Sequence, residues 1–422
     1  MLFKTLLNHV QPYKGFVYKT VKLATSHDRF EWQDERVVIE IEPRVGSKAI
    51  CSSCSQKAPG YDRLPVRLYD YLPVLGVLVY FAYSRRRVNC PRCGVKAEKV
   101  PWACGKSQLT LTLQWFLADW AKELSWKAVA ARFRVSWDSV CKSVEMAVEW
   151  GLARRELDNI RSIGVDEITH SKGHKYFTLV YQIDKGMRRL IWIGNDRTEK
   201  TFSGFFDWLG KTRSNRIEAI CSDMWKAYLK VIKEKIPHAM HVLDRFHIVQ
   251  HLNKAVDEVR ASEHKKLIAD GYDSVLFKSR WLLLRKRKNL RDDQSASLKE
   301  LLKYNLRTMR AYLLKEQFNL FWNYSSPSWA GKFLDKWTTR AMRSNIEPMK
   351  KKAKMLRKHK PLILNWFRAK GELSSGVVEG LNLKAKLTAR KSYGFKNPEM
   401  QKIALYHSLG RLPVPEWTHK FT

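Results

Sequence analysis

The sequence predicts a multidomain α+β chain, and three observations carry that expectation. Two CxxC pairs near the amino end mark a small β module held by a metal. Apolar residues then recur at helical spacing. From about residue 160, short apolar strands alternate with helices before a long helical stretch. The chain has 422 residues, 45% of them hydrophobic and 12% aromatic, which is enough to build real cores and excludes a disordered basic tail. The longest apolar run, Leu72 to Tyr83, contains Pro73 and Gly76 and falls well short of the roughly 20 residues that span a bilayer. Residues 1–30 show scattered lysines and no apolar segment with a small-residue cleavage site, so no signal peptide is expected.

Lys and Arg number 78 against 41 Asp and Glu, a formal net charge of +37. Dense runs occur at Arg85-Arg86-Arg87, Arg285-Lys286-Arg287-Lys288 and Lys350-Lys351-Lys352, but the excess is spread along the chain. A membrane-surface protein gathers such charge on one amphipathic helix. Basic runs interleaved with aromatics fit a phosphate backbone better, so nucleic acid is the expected partner, and a merely solubilising surface is the alternative.

Four of the seven cysteines form Cys51-Ser52-Ser53-Cys54 and Cys90-Pro91-Arg92-Cys93. Two such pairs can supply four thiolates to one tetrahedral Zn²⁺. The long gap between them can hold a β-hairpin, with strand-like stretches at Leu64–Tyr71 and Val74–Val88. Disulfides or a redox CxxC are the competing readings, and the odd cysteine count weighs against disulfides. Residues 1–105 are thus read as a zinc-ribbon-like, core-poor module presenting Arg85, Arg86 and Arg87 to DNA. Cys104, Cys141 and Cys221 are expected to be ordinary buried thiols.

Residues 106–155 read as a helix-turn-helix. Leu113, Phe116, Leu117, Trp120, Ala121 and Leu124 share one helical face. Ser125 and Ser136 are N-cap residues on either side of a short break. Residues 137–146 become a recognition helix, with Ser136, Trp137, Ser139, Lys142 and Ser143 as candidate DNA contacts. An ordinary helical hairpin is the alternative.

Residues 156–247 change period. Strands are expected at Ser162–Ile168, Tyr176–Ile183, Leu190–Ile193, Ile217–Asp223 and Ala239–Leu243, with helices at Thr201–Leu209 and Trp225–Ile236. Asp166 and Asp223 each end a strand, which makes an oxygen-ligand site for Mg²⁺ or Mn²⁺ reasonable. Residues 248–365 are helical in pattern and basic. Ser374-Ser375-Gly376 is a helix start, and Glu379, Asn382, Lys386 and Arg390 follow at helical spacing, offering a carboxylate and three donors for phosphate.

Taken together, Asp166-Glu167, Ser222-Asp223-Met224-Trp225-Lys226-Ala227-Tyr228, Asp244-Arg245-Phe246-His247 and Glu379-Gly380-Leu381-Asn382 resemble the ISL3 family of insertion-sequence transposases, and the resemblance covers nearly the whole chain. It implies a ribonuclease-H-like catalytic core of the DDE type. The triad carried over is Asp166, Asp223 and Glu379, holding two Mg²⁺ or Mn²⁺ per active site. The core is then interrupted by the all-helical insertion 248–365 and completed by 366–422. Asp244 and His247 are auxiliary, with helix capping and a buried histidine as the plain alternative, and Glu167 is at best supporting. The implied activity is transposition: binding of terminal inverted repeats, cleavage at the element ends and joining of the 3′-hydroxyls to target DNA. The implied state is a homodimer or higher oligomer on double-stranded DNA in the bacterial cytoplasm, with no membrane partner and no small-molecule substrate. The rivals are a non-catalytic zinc and helix-turn-helix regulator, and a structure-specific nuclease on the same fold.

Overall fold

The amino-terminal stretch, turned at Gly15 and Gly46, folds into a sheet. The computed structural model describes residues 3–27, 30–171, 173–285, 287–369, 376–392, 395 and 397–418. Its strands are β1 (Phe16–His27), β2 (Phe30–Pro43), β3 (Gly60–Asp70), β4 (Val79–Cys90) and β5 (Gly94–Ala97). They lie in the order β1-β2-β4-β3, with β5 pairing β4 across the Cys90–Gly94 turn. Trp102 is the centre of their core, with edge-on contacts to Phe16, Tyr69, Phe81 and Tyr83. The module is therefore not poor in core, as its cysteines suggested: aromatic packing and a cysteine cluster share the work.

Three helices follow, Leu111–Glu123, Trp126–Phe133 and Trp137–Arg154. Each starts on a side-chain cap, from Thr110, Ser125 and Ser136, whose hydroxyls accept from Leu113, Ala128 and Ser139 amides. Arg134 takes φ +53° to make the turn before the last helix. The recognition helix expected over 137–146 runs on to Arg154, because Val140, Cys141, Val144, Ala147 and Val148 continue one buried stripe.

By its contacts the chain divides into two units, Met1–Arg155 with Thr388–Ser408 and Leu412–Thr422, and Glu156–Leu387 with Leu409–Arg411. Most of 388–422, read from sequence as completing the catalytic core, thus belongs to the first unit. The reason is apolar: Phe395 packs edge-on to Trp126, and Ala404 joins the core of the three capped helices.

The second unit is built on a sheet of β6 (Ser162–Ser171), β7 (Lys175–Asp184), β8 (Met187–Asn195), β9 (Ala219–Ser222) and β10 (Met240–Leu243). Its order is β10-β9-β6-β7-β8, parallel from β10 to β6 and antiparallel from β6 to β8. Phe202, Phe205, Phe206 and Leu209, on the helix Glu199–Leu209, and Tyr228, Val231 and Ile232, on the helix Lys226–Lys235, cover one face. After β10 the chain enters a helical region running from Arg245–Ala269 to Lys360–Arg368, with no strand among its described residues. Phe318, Phe321, Trp322 and Trp337 fill its core. It returns beside the strand it left, where Asn365 Nδ2 donates to the His241 carbonyl at 2.8 Å. Lys286 of the basic run and Ser374 and Ser375 of the expected helix start lie outside the described residues. Among the described residues no helix is long and apolar enough to cross a membrane.

The helix Gly376–Lys391 lies against β6 at a bare glycine. A Cβ on Gly164 would meet Val378 Cγ2 at 2.3 Å. Valine is β-branched and cannot swing away, so the helix itself would have to move. Gly164→Ala is expected to cost about 1–3 kcal/mol, read as a lower midpoint in thermal denaturation, and Val378→Ala in the same chain should restore most of it.

Candidate active site and metal centres

Parallel pairing of β6 with β9 sets Gly164 beside Cys221, and β9 with β10 sets Ser222 beside Leu243. Asp166 lies two residues past that Gly164, Asp223 two past that Cys221, and Asp244 one past that Leu243. Three aspartates therefore stand in a row across three neighbouring strands: Asp223 and Asp244 just past the ends of β9 and β10, and Asp166 within β6, which does not end in acids as expected but runs on to Ser171 by pairing with β7. Each is anchored by a backbone amide: Glu167 N to Asp166 Oδ1 at 2.8 Å, Trp225 N to Asp223 Oδ1 at 2.9 Å, Phe246 N to Asp244 Oδ1 at 2.6 Å. Asp244 caps the helix Arg245–Ala269, and His247 on its first turn puts Nε2 3.7 Å from Asp244 Oδ2.

Burial pushes Asp166 up to about 7, with the nearby Glu167 and Asp223 carboxylates adding to it, while the Glu167 amide and His247 pull it down. Burial likewise pushes Asp223 up to about 6, aided by Glu167 and Asp244 and opposed by the Trp225 amide and His247. So Asp166, Asp223, Glu167, Asp244 and His247 share one electrostatic neighbourhood. Glu167 turns its carboxylate to the other side, where Tyr228 Oη donates at 3.2 Å and Arg197 at 3.4 Å. Arg197 is held there by stacking over Tyr176 and Trp225.

Two half-buried, crowded carboxylates that resist ionisation fit a hard divalent cation, whose charge would offset the desolvation cost. The sign of the pH effect follows. A folded-state pKa above the unfolded value near 3.8 makes the native state hold extra protons between about pH 4 and pH 7, so stability is lost as pH rises through that window. Asp223→Asn, whose oxygen can still accept from the Trp225 amide, is expected to gain roughly 1–3 kcal/mol on the cation-free parent chain between pH 5 and 8. Denaturant melts at the two pH values, without and with Mg²⁺, check this: the gain should shrink when Mg²⁺ is present.

Glu379 is exposed near the start of the helix Gly376–Lys391. Among the described residues the only three or more candidate ligand atoms within 4.8 Å of one another belong to cysteines, so Asp166, Asp223 and Glu379 do not together form so tight a cluster. Lys386 and Arg390 are exposed on the same helix. Asn382 is not: it is 5% exposed and its amide donates to Asp166. At about 100° per residue, Lys386 and Arg390 lie within about 20° of Glu379, whereas Asn382 lies about 60° away, on the buried side with Val378, Leu381 and Ala385.

The four cysteines Cys51, Cys54, Cys90 and Cys93 bring their sulfurs within 4.8 Å of one another, with Cys54 and Cys90 at 3.5 Å. Backbone amides of Cys54 and Ser53 donate to Cys51 and lower its thiol to about 7. The hydrogen bond with Cys54 and burial push Cys93 to about 12. Four sulfurs packed this closely fit a tetrahedral Zn²⁺, and all seven cysteines are free thiols. Cys141 and Cys221 are buried as expected, whereas Cys104 is exposed in the turn after Trp102.

The expected DNA contacts of the first unit divide. Arg86 is committed inward, to the buried Glu98 through Nε at 2.9 Å and to the Ser47 carbonyl at 3.0 Å. Arg87 pairs with Asp62, and Arg85 leans over Tyr69. Ser136 and Lys142 are exposed and Ser139 half-buried. Trp137 packs on Trp126. Ser143 is fully buried, its hydroxyl donating to the Ser139 carbonyl at 2.7 Å, so it is a packing residue of the helix and not a groove contact.

A family of the ISL3 DDE type, described as Transposase, matches residues 163–405. The transposase for insertion sequence element IS1001 of Bordetella parapertussis is 29% identical over 378 residues, covering 88% of this chain and 92% of that protein. The transposase for insertion sequence element IS1557 of Mycobacterium tuberculosis is 30% identical over 411 residues, covering 91% of each.

Proposed function

Because the chain belongs to the ISL3 family of DDE transposases, we propose that it binds the terminal inverted repeats of an insertion sequence, cleaves at the element ends and joins the freed 3′-hydroxyls to target DNA. The observation that carries this reading is the side-by-side placement of Asp166, within β6, and Asp223, just past the end of the parallel neighbour β9. The strand order β10-β9-β6-β7-β8 supports a ribonuclease-H-like core with the helical region inserted after β10.

In this reading Asp166, Asp223 and Glu379 are the catalytic acids. A pair of Mg²⁺ or Mn²⁺ ions held by them would supply an activated attacking oxygen and a stabilised leaving oxygen. The protein's own contribution is to hold the two aspartates ready. Their anchoring amides fix one oxygen of each, and His247 offsets part of their mutual repulsion. Glu379 lies within the helix that also bears Lys386 and Arg390, so DNA phosphates drawn to those side chains arrive beside it. Zinc holds the Cys51–Cys93 module, and the capped helices with Ser136, Ser139 and Lys142 read the element ends. One site serving each end makes a dimer or higher assembly on DNA the working form.

The test is a plasmid carrying marked element ends. Cleavage with joining in Mg²⁺ is the expected result. Cleavage without joining would support a nuclease on the same fold, and binding alone a regulator.

A further inference from the structure

Asn382 is a buried polar residue that the reading above does not use. Its neighbours on the helix, Val378, Leu381 and Ala385, are buried and apolar or small, so an apolar side chain would pack there without the cost of burying an amide. That amide is fully engaged. Nδ2 donates to Asp166 Oδ2, and Oδ1 accepts from Tyr181 Oη at 2.6 Å. Tyr181 is itself completely buried on β7, paired with Gly164 of β6.

We propose that Asn382, oriented by Tyr181, is a positioning residue that fixes the carboxylate of Asp166 and seats the Glu379 helix against β6. The inference rests on the reading of Asp166 as a catalytic acid. A carboxylate turns easily about its last torsion. Asp166 does not, because Glu167 N holds Oδ1 and Asn382 Nδ2 holds Oδ2. The amide has one correct orientation and one harmful one, in which its oxygen would face the carboxylate. The acceptor-only carboxylate of Asp166 selects the correct one, and Tyr181 reinforces it by donating its O–H to the amide oxygen. Burial raises the phenol far above its usual range, so the proton stays in place. The donor on Asp166 is neutral, which leaves the carboxylate's charge for a cation where Lys or Arg would compete for it. Glu379 lies between two contacts of its helix with this sheet, Val378 on Gly164 and Asn382 on Asp166.

The experiment uses the full chain with Asn382→Ala, Tyr181→Phe, the double variant, and Asp166→Asn as the reference for a lost ligand. Mn²⁺ binding is followed by electron paramagnetic resonance without DNA, and end cleavage is measured in Mg²⁺. Asn382→Ala is expected to weaken Mn²⁺ binding about tenfold and slow cleavage about 100-fold, lowering kcat while end-DNA affinity stays unchanged. Tyr181→Phe, which removes one oxygen and keeps the packing, should show a smaller loss of both. The double variant should be no worse than Asn382→Ala, because the two residues act in series. A purely structural role would lower the melting temperature and leave Mn²⁺ affinity and kcat at 25 °C unmoved, and that result overturns the proposal. If Asp166→Asn binds Mn²⁺ and cleaves like the parent, the catalytic reading itself fails and takes this inference with it. If Asp166→Asn loses both while Asn382→Ala and Tyr181→Phe keep both, the inference alone fails.

Discussion

Asp166→Asn and Asp223→Asn, each made alone, are expected to lower end cleavage by at least about 10³-fold, equivalent to ~4 kcal/mol of transition-state stabilisation, with end-DNA affinity kept within about twofold. The size follows from the site. These acids are two half-buried carboxylates that share one electrostatic neighbourhood on the paired strands β6 and β9. Replacing one by an amide keeps its shape and removes the charge that would hold a cation. Binding should survive, because Ser136, Ser139 and Lys142, proposed to read the ends, lie in the first unit. Gel-shift and cleavage assays on the same end fragment separate the two effects. Near-parental cleavage by either variant would end the assignment. Glu379→Gln should give a similar loss.

Cys51→Ser or Cys90→Ser carries the second large effect. Zinc content is expected to fall from about one ion per chain to near zero, with end-DNA affinity reduced at least about tenfold. The damage should be graded along the module. Ala49, Cys51, Ala58, Val88 and Cys90 form the small core around the sulfurs, so hydrogen exchange should speed up there. The Trp102 core, with Tyr69, Phe81 and Tyr83, has aromatic packing of its own and should keep its protection. Elemental analysis of reduced, chelator-free protein gives the first readout and exchange mass spectrometry the second. A parent chain that carries no zinc would defeat the claim.

Strong local signals made much of this legible in the sequence. The CxxC pairs, the serine caps and the apolar strand leading to Asp223 are set by chemistry between near neighbours, and each stands where its pattern put it, whereas β6 continues past Asp166 to Ser171 because β7 pairs with it there. The long β1–β2 hairpin went unread because it faces water for most of its length. Tyr18 is the one buried residue of β1, so the strand shows almost no apolar alternation. Arg86 and Ser143 looked like DNA contacts because a one-dimensional reading takes polar residues in basic or groove-facing stretches as exposed. Glu98 and the Ser139 carbonyl, their actual partners, become visible only in three dimensions. Asn382 misled for the same reason: its spacing from Glu379 suits an exposed stripe, and only Asp166, far away in sequence, accounts for its burial.

The ladder that lines up Asp166, Asp223 and Asp244 also constrains how such a chain can diverge. Side chains alternate along a strand, so adding or deleting one residue inside β6, β9 or β10 would turn an acid to the opposite side of the sheet. Extra residues in the turns between strands cost little, since lengthening a surface loop raises closure entropy only slowly. Length variation among descendants of this chain should therefore collect in the connections and avoid the three strands. A scan of single-codon insertions scored for excision would trace that boundary residue by residue.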